Sequence, residues 1–71
     1  MIEIYGKENC GYCNMAKQLC DSKQLDYVYK NLGKDYSQDE FFAQFPTART
    51  FPQIIFNGEA IGGFDNLRMK I

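Results

Sequence analysis

Apolar and polar residues alternate at the start of the chain. In "MIEIY", Ile2 and Ile4 flank Glu3, a period of two that predicts a short strand. "GKEN" then turns the chain, and from about Cys10 the period lengthens. Cys13, Ala16, Leu19 and Cys20 recur at three- and four-residue intervals, which predicts a helix with one apolar face. "DSKQLD" closes that helix, and "YVYKNL", rich in β-branched and aromatic residues, predicts a second strand. Strand, helix and strand at this spacing make a βαβ unit, so the two strands are expected to be parallel with a right-handed crossover.

Ser37 and Glu40 in "SQDE" have the spacing of a capping box, in which each side chain caps the other's backbone amide. Phe41, Phe42 and Phe45 are expected on one face of the helix that follows. Pro46 ends it, because the residue before proline avoids the α region. "FPQIIF" predicts a third strand. Asn57-Gly58 predicts a type I′ hairpin, whose two central residues need positive φ, and "EAI" is its antiparallel return. After a glycine pair, "FDNLRMKI" predicts a short last helix with Asp65 as its cap. The order is βαβ-α-ββ-α, an α/β chain read as one domain over residues 1–71, without repeats or linkers.

Composition narrows the partners. With 71 residues and a formal net charge of -1, the chain has no basic field to draw nucleic acid or anionic lipid. No run approaches the roughly 18 consecutive apolar residues of a membrane span. The first residues lack a charged segment followed by an apolar run, so no signal peptide is expected. Three cysteines make an odd count, a poor match to a secreted disulfide scaffold, and the expected location is cytoplasmic.

Those cysteines carry the chemistry. Cys10 and Cys13 form a C-x-x-C, which can hold a metal, staple a fold or carry electrons as a dithiol. Zinc needs four ligands, and the chain has no histidine and one further cysteine. If residues 13 to 20 are helical, Cys20 lies roughly 10 Å along the axis from Cys13, too far to share an ion or a disulfide with it. Cys20 therefore reads as a small apolar residue of the buried face. A cysteine at a helix N-terminus meets free amides and the positive end of the dipole, which favour its thiolate. Cys10 is then the exposed nucleophile and Cys13, one turn on, the shielded resolving thiol. Lys7 is placed to add positive charge.

Three segments together resemble the glutaredoxins over nearly the whole chain: "CGYC" after the first strand, "TFPQIIF" opening the third, and "GGFDNL" after the last. The resemblance implies a thioredoxin fold, a four-stranded mixed sheet flanked by helices, and glutathione as reductant. It also implies a cis peptide before Pro52, turning the Phe51 backbone toward the cysteinyl part of glutathione. Thr50, Phe51 and Pro52, with Gly63, Phe64 and Asp65, would line the glutathione site. The amides of "GGFD" would face the γ-glutamyl carboxylate, and Asp65 its ammonium group. Lys7 would pair with the glycyl carboxylate, Tyr12 would shield the sulfur and flank the ligand, and Arg49 is a weaker candidate for the same carboxylate. Protein disulfides, glutathione mixed disulfides and, by resemblance, ribonucleotide reductase are the implied clients of a monomer.

Two features depart from the common pattern. Gly11 stands where the usual dithiol form has proline. In some relatives with a small residue there, two copies share a [2Fe–2S] cluster through Cys10 and glutathione, which is the alternative reading. The last helix is also short, as in glutaredoxins of bacteriophages. The same brevity occurs in small redoxins reduced by thioredoxin reductase, which tend to lack the acidic "GGFD" signature.

Overall fold

The computed structural model describes residues 1–71 and contains four strands and three helices in the expected order. Strand β1 spans Ile2–Gly6, helix α1 Gly11–Ser22 and strand β2 Tyr27–Asn31. Helix α2 spans Gln38–Gln44, strand β3 Gln53–Phe56, strand β4 Glu59–Gly62 and helix α3 Phe64–Lys70. The sheet order is β2-β1-β3-β4. β1 and β2 are parallel through the α1 crossover, whereas β3 runs antiparallel to β1 and β4 antiparallel to β3. This is the mixed four-stranded sheet of a thioredoxin-like fold.

Period-two alternation puts Ile2, Ile4 and Ile54 on one face of the sheet. Ala16 and Cys20 of α1 and Leu67 of α3 cover them. Tyr5 and Ile55 point to the other face, against Phe41 and Phe45 of α2 and against Tyr36. On this second face aromatic rings replace aliphatic packing. Tyr5 meets Phe45 edge-on at 5.1 Å and Tyr36 at 5.2 Å, and Phe41 stacks on Phe51 at 4.7 Å. Such offset and edge-to-face pairs follow the ring quadrupole, so they fix orientation as well as burying area.

The local signals act as their chemistry requires. Ser37 Oγ accepts from the Glu40 N–H at 3.1 Å and Glu40 Oε1 from the Ser37 N–H at 2.8 Å, a reciprocal cap. Asn57 and Gly58 both have positive φ, at 50° and 86°. Two expectations fail. Phe42 does not share the buried face: it is 44% exposed and touches Phe41 edge-on from outside, being one position round the helix from it. Asp65 does not cap α3. Gly63 holds the cap position with no side-chain bond, and Asp65 sits in the first turn with an exposed ion pair to Arg68 at 3.5 Å.

Candidate active site

β1 ends at Gly6, and Lys7–Asn9 carry the chain over to α1 with Asn9 in the left-handed region at φ 56°. Cys10 is the N-cap of α1, in extended conformation, and its sulfur accepts from the Cys13 N–H at 3.2 Å. That bond is the sulfur counterpart of a Ser or Asp cap. No acidic side chain occupies the first turn of α1, so nothing there offsets the positive end of its dipole. Cys10 and Cys13 are joined as a disulfide, their Cα atoms 5.2 Å apart. Cys10 is half-buried while Cys13 is 0% exposed, so an incoming thiolate meets Cys10 first. Cys20 is a free, fully buried thiol in the α1 face against the sheet. Burial, and secondarily the charge of Asp21, pushes its pKa up, away from the reactive thiolate.

Beside the disulfide lies a cleft of about 340 Å³ lined by Tyr12, Thr50, Phe51, Pro52, Gly63, Phe64, Asp65 and Asn66. Seven of the sequence-derived candidates are therefore brought to one place from α1, the β3 approach and α3. Tyr12 is 60% exposed and its ring lies 6.1 Å from that of Phe64, forming one wall. The Phe51–Pro52 bond is cis, as the resemblance implied. No hydrogen bond within the protein uses the Phe51 N–H or C=O, which leaves both free for a ligand strand. Lys7 does not line this cleft. Its ammonium stands over the Phe51 ring, 5.2 Å from the centroid, at the rim. Arg49 is exposed and makes no ion pair.

The floor of the cleft at the α3 end depends on glycine. Gly62 has φ 109°, and a side chain there would collide with Asn66. A Cβ on Gly63 would come within 3.4 Å of the Pro52 carbonyl. Asn66 is the lining residue that sequence reasoning missed. The β3–β4 register slips between Ile54 and Ile55, taking Ile61 out of the ladder, and Asn66 Nδ2 donates to the Ile61 carbonyl at 2.6 Å. Nothing in "GGFDNL" announces a bulge at the residue just before it, so the signal for Asn66 exists in the fold alone. A larger cavity of about 740 Å³ lies at the far end of the sheet, among Met1, Ile2, Lys23, Leu25, Phe56 and Ile71, and no cysteine lines it. Volume therefore does not identify the reactive end, whereas the disulfide does.

Comparison with known proteins agrees with this geometry. The glutaredoxin family model matches residues 2–61. Glutaredoxin 3 of Escherichia coli K12 is 35% identical over 66 residues, spanning 93% of this chain and 80% of that protein. Among solved structures, glutaredoxin 1 from Francisella tularensis, complexed with cacodylate, superposes with a TM-score of 0.82 at 25% identity, covering 97% of this chain and 88% of that one. The buckwheat glutaredoxin–glutathione complex also gives 0.82, at 30% identity, with 97% and 66% covered.

Proposed function

This chain belongs to the glutaredoxin family of thiol–disulfide oxidoreductases, and on that premise we propose that glutathione is its reductant and Cys10 its nucleophile. The observation that carries the reading is the convergence of Tyr12, Thr50, Phe51, Pro52, Gly63, Phe64 and Asp65 on one cleft beside the Cys10–Cys13 disulfide. A related buckwheat glutaredoxin forms a complex with glutathione, which supports the same ligand here.

The reduced enzyme attacks a client disulfide with the Cys10 thiolate. One client sulfur leaves as a thiolate, and the other stays bonded to Cys10. The Cys13 thiolate then attacks the Cys10 sulfur, releasing the client dithiol and leaving the Cys10–Cys13 disulfide. A glutathione thiolate attacks Cys10, forming a glutathionyl–Cys10 disulfide and freeing Cys13. A second glutathione takes the glutathionyl sulfur, giving glutathione disulfide and the reduced enzyme. With a glutathione mixed disulfide as client, Cys10 takes up the glutathionyl group directly and Cys13 is not needed. The chain has no histidine, so the α1 amides and dipole activate Cys10. In the cleft the free Phe51 backbone pairs with the cysteinyl unit, and Gly63–Asp65 face the γ-glutamyl end. Lys7 at the rim takes the glycyl carboxylate.

The test is reduction of a glutathionylated peptide coupled to NADPH, run once with glutathione and glutathione reductase and once with thioredoxin reductase alone. Turnover with glutathione alone is expected. Cys10→Ser is expected to abolish it, and Cys13→Ser to spare it while losing reduction of protein disulfides. Turnover with thioredoxin reductase alone would overturn the glutathione assignment. A brown, inactive preparation that loses its colour on Cys10→Ser would replace the enzyme reading with a cluster carrier, two copies of Cys10 and two glutathiones supplying the four thiolates.

A further inference from the structure

The loop that delivers Cys10 is tied to the rest of the chain by one side chain from a distant strand. Tyr29 stands in β2, and its hydroxyl donates to the Lys7 carbonyl at 3.2 Å, across 22 residues of sequence. No other residue donates a hydrogen bond into Lys7–Asn9. The Tyr29 ring fills the space beside Gly6, where an added Cβ would lie 2.7 and 2.8 Å from ring carbons. On the ring's own face Lys17 of α1 places its ammonium 4.2 Å from the centroid. Tyr29 is thus wedged between the end of β1, the first turns of α1 and the Cys10 loop. A phenol is protonated at neutral pH, so it donates throughout the working range.

Lys7 is held at both ends. Its carbonyl is held by Tyr29, and its ammonium rests 5.2 Å from the Phe51 centroid. Fixing the backbone limits the directions in which a long, exposed side chain can search. We propose that Tyr29 is a positioning residue, whose hydroxyl sets the Lys7 backbone so that the ammonium stands ready at the Phe51 rim for the glycyl carboxylate of glutathione. This rests on the assignment of Lys7 in the proposed glutathione site. The tie is solvent-exposed, so its removal costs little global stability, while misplacing a recognition group costs rate.

The experiment measures the second-order rate of deglutathionylation of a glutathionylated peptide by the wild type, Tyr29→Phe, Lys7→Gln and the double variant. Tyr29→Phe keeps the ring and its cation contact and removes only the donor. Each single variant is expected to lose about fivefold in rate, the equivalent of one hydrogen bond. The double variant is expected to be no slower than Lys7→Gln, because the two act through one contact. A peptide carrying glutathione as its glycyl ethyl ester lacks the carboxylate and should not distinguish Tyr29→Phe from the wild type. Iodoacetamide alkylation of Cys10 across pH should also match between those two. Loss in Lys7→Gln with none in Tyr29→Phe, or additive losses, would overturn the positioning role and leave Lys7 in the site. Equal slowing of alkylation in Tyr29→Phe would overturn it too, as general loosening of the loop. No loss in Lys7→Gln would remove Lys7 from the glutathione site, and the role of Tyr29 with it.

Discussion

The Tyr36 hydroxyl donates to the Gly6 carbonyl at 2.6 Å from a side chain that is 7% exposed. The same carbonyl also accepts from the Leu32 N–H at 2.9 Å, so the end of β1 is gripped by two donors from the segment after β2. Burial, with the nearby charges of Tyr29, Tyr5 and Asp35, pushes the Tyr36 phenol from 10.0 up to about 12. The folded state therefore holds this proton more tightly than the unfolded chain does. Its contribution is complete below pH 10 and is lost as pH rises from 10 toward about 12, up to about 2–3 kcal/mol. Tyr36→Phe removes the hydrogen bond and should cost about 1 kcal/mol at neutral pH, since Gly6 keeps its Leu32 donor. The difference between variant and wild type in urea midpoints should then close above pH 10 and reverse toward pH 12, because phenylalanine has no proton to lose. A gap that stays constant to pH 12 would mean the phenol is not held protonated by the fold.

At the scale of the element, α1 shows how a helix start becomes a reactive site. Its N-cap residue is Cys10, the proposed nucleophile, and its first helical position is Gly11. A side chain added at Gly11 would meet nothing within 4 Å, and Cys10 has φ -121° and ψ 108°, the extended conformation that a following proline requires. The Gly11 N–H has no partner to lose. Gly11→Pro should therefore stabilise the protein by about 0.4–1 kcal/mol, read as a higher urea midpoint at unchanged slope. A destabilised variant would show that the α1 start needs a conformation proline cannot take. At the other side of the cleft α3 has no side-chain cap, and Asn66 instead ties its first turn to the bulge in β4. Two short helices thus face one cleft with opposite strategies, one capped by the Cys10 sulfur and one pinned to the sheet.

For the whole molecule, two small clusters on opposite faces of one sheet must hold 71 residues together. Chains of this size retain a margin of roughly 4–11 kcal/mol. Ile54 is 0% exposed in β3, next to β1 at the centre of the sheet, and packs in the cluster that α1 and α3 cover. Ile54→Ala should cost about 2–5 kcal/mol, lowering the thermal midpoint by more than about 10 °C. A shift of a degree or two would mean that the face relaxes around the gap and that the margin lies in the aromatic cluster instead.

The amino-acid sequence by itself determined the element order, the two sheet faces, the Ser37–Glu40 cap, the Asn57-Gly58 turn and the placing of Cys10 ahead of Cys13. Each depends on residues a few positions apart, so backbone period, cap chemistry and turn chemistry suffice to read them. The cis bond before Pro52 and the shared cleft were legible through resemblance to a family, not through spacing. Tertiary structure alone decided that Phe42 faces out and that Asn66 lines the cleft. It also decided that hydroxyls of Tyr29 and Tyr36 hold the carbonyls of Lys7 and Gly6. Those contacts join residues brought together by a strand crossover or a register slip, and no local period in the sequence encodes which side chain arrives opposite a given carbonyl.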